Sequence, residues 1–229
     1  TVSRWLAEET QREFALKRPI QTIYNFFNEE RFQVERLPRE KIAAPDEKIV
    51  MHISNFRPVK RVTDVVRMFK KVAERVSARL IMVGDGPERT LAVGVARQLG
   101  VADKIRFLGN FQSVESILPH ADLVIQPSEH ESFGLVPLEA MVAGVPVIAT
   151  ASGGVCEVVE HGETGYLCEV GDIESMAQYA IALLSVDALA QDMGRKGKER
   201  AARLFARDPI VKQYEALYTS LLNSNDWHI

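Results

Sequence analysis

The chain has 229 residues and a formal net charge of −3, with 46% hydrophobic and 26% charged residues, a composition that excludes a disordered chain. At roughly 150 residues per domain it holds about one and a half domains, and its balanced charge excludes a broad nucleic-acid surface. No apolar run approaches the ~20 residues of a membrane span and no signal-peptide pattern opens the sequence, so neither nucleic acid nor membrane insertion is expected. Cys156 and Cys168 are too few for a disulfide scaffold and read as reduced thiols of a cytoplasmic protein.

Residues 3–16 read as a helix carrying Trp5, Leu6, Ala7 and Phe14. Pro19 and an extended stretch over 20–27 follow it. No strand precedes this helix, so it lacks the sheet that a βα unit supplies. From Lys48 onward the pattern changes. Short runs at 49–54, 79–83, 105–108, 123–126, 147–150 and 166–168 are mostly apolar throughout, as strands covered on both faces should be. Between the first two, Val62, Val65, Val66, Phe69, Val72, Ala73 and Val76 make one helical stripe. A helix over 88–99 stops at Gly100, a short one follows Ser113 as its N-cap, and another runs over 135–143 before Gly144, each bounded by residues that favour helix ends. Asp172 caps a helix over 173–184, two more span 188–205 and 209–222, and the tail 223–229 is expected to fray. Alternating strands and helices predict an α/β fold: a doubly wound, parallel, six-stranded sheet with helical flanks.

Such a sheet binds ligands at the carboxyl ends of its strands, where strand order reverses. For the usual order 3-2-1-4-5-6 this crevice lies between the first and fourth strands, whose exit loops are 55–61 and 127–134. The first loop gathers Arg57, Lys60 and Arg61 at a helix start, where cations are disfavoured by ~0.3–1 kcal/mol each. A bound anion would reverse that sign; a solvated basic turn is the plainer alternative. In the second loop, Gly134 lets the backbone bend into a helix whose first amides, over Gly134, Leu135 and Val136, are free for a phosphate. Pro137 suits that first turn because it has no N–H. Glu139 lies ~6–8 Å further along the axis, a fitting reach from a phosphate to ribose hydroxyls. Both Glu139 and Glu131 also read as ordinary carboxylates on a helix surface and a solvated loop. The Gly84-Asp-Gly-Pro turn and the Gly153-Gly154 loop before Glu157 read as permissive strand-end turns. The histidines form no metal-ligand pattern and no D-x-D pair is present to hold a metal.

Glu131 and Glu139 then stand in the E-x7-E spacing of retaining GT-B glycosyltransferases of family 4, also called group 1. Arg57 with Lys60, the run Ser132-Phe-Gly-Leu-Val-Pro-Leu-Glu139, and Gly153-Gly154-x-x-Glu157 before Thr164-Gly165 resemble that family over essentially the whole chain. Ile23-Tyr-Asn-Phe26, His52-Ile-Ser-Asn-Phe-Arg57 and Gly165-Tyr-Leu-Cys-Glu-Val-Gly-Asp172 resemble its bacillithiol-pathway branch most. Two departures are visible: Arg61 replaces a common Gly, and Val155-Cys156 replaces an Ile/Val-Pro pair.

The resemblance implies two Rossmann-like domains facing across a cleft. Residues 1–19 would be the last helix of a mostly missing N-terminal domain and 20–47 the crossover. Residues 48–206 would be the nucleotide-sugar domain, and 207–229 a helix crossing back with the tail. It implies transfer of GlcNAc from UDP-GlcNAc to a small hydroxy acid, L-malate first, without cofactor or metal. Arg57 and Lys60 would stabilise the leaving diphosphate and Glu131 would contact the sugar. Glu139 would hold the ribose, and Phe133, Gly134, Leu135, Val136 and Asn110 would line the donor site. The missing domain would be a partner in catalysis, and homodimerisation stays open. A non-catalytic UDP-sugar module is one alternative. A two-carboxylate glycosidase is another, but it leaves the basic loop unexplained.

Overall fold

In the run Lys48–Ile53, which forms β1, Ile49 and Met51 are buried on one face while Val50 and His52 are buried on the other. The computed structural model describes residues 1–223. The other strands are β2 (Ala78–Val83), β3 (Ile105–Gly109), β4 (Leu123–Gln126), β5 (Val147–Thr150) and β6 (Gly165–Cys168). They form one parallel sheet in the order β3-β2-β1-β4-β5-β6. This is the predicted doubly wound order, with its reversal between β1 and β4, where Val50 pairs with Leu123 and Met51 with Val124.

Each face has its own core. On one, Val50, Leu80, Met82, Ile125 and Ile148 pack against α2 (Val62–Ala73), α3 (Arg89–Gln98) and α6 (Ile173–Ser185). On the other, Ile49, Met51, Ile81, Val124, Val147 and Ala149 pack beneath α4 (Leu135–Val142), α5 (Val155–Val158) and α7 (Asp187–Leu204). Burying each such side chain contributes ~1.5–3 kcal/mol, so two covered faces hold the sheet without staples. Asp172 caps α6 as expected, its carboxylate accepting from the Ser175 amide at 3.0 Å.

The outer segments differ from expectation in detail. The segment after Ser113 is not a helix but two 3-10 turns, Val114–Ser116 and Leu118–His120. Pro119 cannot donate into a longer α-helix, and the Ser113 side chain makes no cap bond. Within 20–47 the chain makes two short 3-10 turns, Glu29–Phe32 and Arg39–Lys41. Helix α5 is new; four residues are too few for a periodic signal. The last helix, α8, spans Arg207–Asn223, so the expected frayed tail beyond it lies outside the described residues.

Helix α1 (Arg4–Glu13) docks on the loop that leaves β4. Ser3 Oγ accepts from the Leu6 amide at 3.1 Å and donates to the Ser132 carbonyl at 2.6 Å. Glu157 accepts from the amides of Arg4 and Trp5 and from the Tyr24 hydroxyl at 2.9 Å. Burial opposes ionisation of Glu157, but those donors outweigh it and hold the carboxyl below its usual range. Glu157 therefore caps a helix rather than lining a pocket. Among the described residues no single helix is long and apolar enough to cross a membrane.

Candidate active site

The loops leaving β1 and β4 are zipped together across the reversal point. The Glu129 amide donates to the Val59 carbonyl at 2.8 Å, Arg61 Nη1 reaches Glu129 Oε1 at 2.8 Å, and Lys60 Nζ reaches Glu131 Oε1 at 2.6 Å. The loop leaving β5 braces them from the other side. Thr150 and Ser152 donate their hydroxyls to the carbonyls of Ser128 and Glu129, and the Gly154 amide donates to the Glu131 carbonyl at 2.7 Å.

Between the first two loops lies a cavity of about 280 Å³. Lys60, Gln126, Glu131, Gly134, Leu135 and Val136 border it, with Asn25 from the crossover segment. Gly134, at φ 105°, takes the left-handed conformation that turns the loop into α4. The amides of Leu135 and Val136 open that helix and have no acceptor within it. Lys60 and Glu131 are both mostly buried, their side chains 18% and 15% exposed. Glu131 Oε1 also accepts from Ser128 Oγ at 2.8 Å and Gln126 Nε2 at 3.2 Å. All three protein donors thus converge on one oxygen, leaving Oε2 for a ligand.

Arg57 is exposed on the same loop and its guanidinium has no hydrogen bond or ion pair among the described residues. Arg57 does not itself border the cavity but follows Asn55 and precedes Lys60, which do, and an unpartnered cation at its edge suits an anionic ligand. Arg61 behaves otherwise: it pairs with Asp64 and Glu129 and is spent inside the protein.

Glu139 borders a neighbouring cavity of about 340 Å³ with Phe26, Phe27, Asn28, Arg31 and Tyr214. Asn25 and Leu135 border both cavities. Burial raises the Glu139 carboxyl above its ordinary range, against the pull of Arg31, whose Nη1 lies 3.6 Å away. Arg31 also pairs with Glu115.

Two expected donor-site residues are placed differently. The Phe133 residue borders the cavity, but it is only 1% exposed and its ring packs edge-on to Phe205 at 5.5 Å; hydrophobic burial takes the ring into the core. Asn110 is exposed and borders neither cavity, because the preceding Gly109 ends β3, which two intervening strands separate from β4. Among the described residues no three His, Cys, Asp or Glu side chains gather as a metal centre requires.

Beneath the basic loop, His52 is wholly buried. Burial lowers its imidazole to about 4, so the neutral ring donates from Nδ1 to the Ile125 carbonyl at 2.9 Å and accepts Ser54 Oγ–H at Nε2, 2.8 Å away. Ser54 Oγ in turn accepts from the Phe56 amide at 3.3 Å. The network joins β1 to β4 and sets the path of the loop towards Lys60. The clue in the sequence was a polar residue in the apolar run Lys48–Ile53. A folded-state value below the unfolded one means that stability is present above about 6.5 and lost as pH falls towards 4. Unfolding at a series of pH values should show about 3 kcal/mol lost across that range. His52→Gln, which keeps a donor and an acceptor, should flatten that dependence; an unchanged slope would contradict it.

This parallel sheet, with its order reversing between β1 and β4 and helices on both faces, is a Rossmann-like domain of the GT-B class. Residues 33–200 match the family described as glycosyl transferases group 1, and the chain belongs to that family. It is 44% identical over 227 residues to N-acetyl-alpha-D-glucosaminyl L-malate synthase of Bacillus anthracis, covering 98% of this chain and 60% of that protein. The chain thus spans about three fifths of that relative's length. Among solved structures, sucrose-phosphate synthase of Thermosynechococcus elongatus superposes with a TM-score of 0.86 at 27% identity, over 97% of this chain and 57% of that one. HepE of Anabaena in complex with UDP-glucose gives 0.83 at 25% identity, over 94% and 62%.

Proposed function

We propose that this chain is the donor-binding part of a retaining glycosyltransferase that moves GlcNAc from UDP-GlcNAc to the hydroxyl of L-malate, in the cytoplasm. The observation that carries this reading is the cavity at the β1/β4 reversal, where Lys60, Glu131 and the open amides of α4 meet beside the unpaired Arg57. The 44% identity to a GlcNAc–malate synthase over 98% of the chain supports the choice of donor and acceptor.

In the reaction the bond from the sugar C1 to the diphosphate oxygen breaks and its electron pair stays on UDP. The malate hydroxyl oxygen bonds to C1 on the same face, and its proton passes to the departing phosphate. Arg57, Lys60 and the amides of Gly134, Leu135 and Val136 stabilise the growing negative charge, a role for which preorganised donors need no metal or cofactor. Glu131 Oε2 receives sugar hydroxyls and supports positive charge developing at C1. Glu139 releases Arg31 and takes the ribose hydroxyls. The acceptor lies against the partner domain that precedes this chain, so the chain alone binds UDP without turnover.

The test is product analysis with the complete enzyme, UDP-GlcNAc and a panel of hydroxy acids. The expected product is α-linked GlcNAc-malate with release of UDP, while the isolated chain releases none. Hydrolysis without transfer, or preference for another donor or acceptor, would overturn the assignment.

A further inference from the structure

Gln126 ends β4 after Leu123, Val124 and Ile125, and is only 2% exposed. A buried amide costs free energy unless both of its ends are bonded. Its Nε2 donates to Glu131 Oε1 at 3.2 Å and weakly to Ser128 Oγ at 3.4 Å. Its carbonyl oxygen, Oε1, is the sole buried side-chain polar atom without a partner among the described residues. Turning the amide over gives no relief: the carbonyl would then face a carboxylate and the NH₂ would be orphaned. Gln126 borders the 280 Å³ cavity together with Lys60 and Glu131.

We propose that Gln126 is a specificity-determining residue whose side-chain carbonyl accepts a hydrogen bond from a hydroxyl or N–H of the transferred sugar. The chemistry selects that part of the ligand. A bare acceptor needs a hydrogen, which diphosphate oxygens at neutral pH do not carry, and the ribose is assigned to Glu139 in the neighbouring cavity. The donation of Nε2 to an anion polarises the amide and strengthens its carbonyl as an acceptor. This inference rests on the UDP-sugar reading above.

The test is calorimetric titration of the 229-residue chain with UDP, UDP-GlcNAc and UDP-GlcNAc analogues lacking one hydroxyl or the amide hydrogen. Gln126→Met keeps the shape of the side chain and removes the carbonyl. It should bind UDP as the wild type does and UDP-GlcNAc about tenfold more weakly. One analogue should lose a similar factor in the wild type and nothing further in the variant. Equal weakening of UDP and UDP-GlcNAc, or losses that add for every analogue, would overturn the role of Gln126. If the variant does not fold, a flat analogue profile in the wild type overturns it alone. A wild type that binds no UDP would instead sink the UDP-sugar reading itself.

Discussion

Lys60→Ala in the complete enzyme is expected to lower turnover with UDP-GlcNAc by a factor of ~10²–10³, the scale of losing one preorganised donor to developing charge. Lys60 Nζ already sits 2.6 Å from Glu131 Oε1, so its ammonium is held in place before any ligand arrives. The carboxylate keeps Ser128 and Gln126 as donors after the substitution, so the loss should appear chiefly in kcat and less in thermal stability. Turnover near the wild-type level would remove Lys60 from the catalytic account. A glycosidase built on Glu131 and Glu139 fits the geometry poorly, since the two carboxylates border different cavities and one is bound to a lysine.

The second large effect lies outside the cavity. At Gly153, φ is +80° and a Cβ would meet the Glu131 carbonyl oxygen at 2.1 Å and its carbon at 3.0 Å. Both are backbone atoms of the loop that carries the Glu131 carboxylate. Gly153→Ala therefore incurs left-handed strain of ~1–2 kcal/mol and a steric cost of ~1–3 kcal/mol, about 3 kcal/mol together. Relief requires the Glu131 segment to move, and displacement of about 1 Å at a reacting centre costs ~10²-fold in rate. Gly162 is the control. It shares φ +80° but a Cβ there meets nothing within 4 Å, so Gly162→Ala should show only the strain, by chemical denaturation and by turnover. Equal losses at the two positions would contradict the contact.

These two residues show what could be read in the sequence. Lys60 was legible because a cation at a helix start violates a local electrostatic preference, and the strand order then placed it at the reversal point. Gly153 was legible only as a permissive turn; its close approach to Glu131 comes from how the β5 loop folds over the β4 loop, which no local pattern encodes. The capping role of Glu157 was not legible for the same reason, since its partners Arg4, Trp5 and Tyr24 are more than a hundred residues away. Phe133 stands in the site segment, yet the aromatic pocket of Tyr24 and Phe205 draws its ring inward. The six strands were read to within a residue or so at each end because runs buried on both faces carry a strong apolar signal. The region after Ser113 lacked one.

The central claim is that the β1 and β4 loops hold the diphosphate of a nucleotide sugar through Arg57 and Lys60. Its most direct measurement is a calorimetric titration of UDP into the chain beside its Arg57→Ala and Lys60→Ala variants. The wild type should bind one UDP, each variant should bind it more weakly, and added salt should weaken the wild type most. Equal affinity for UDP in all three proteins would contradict it.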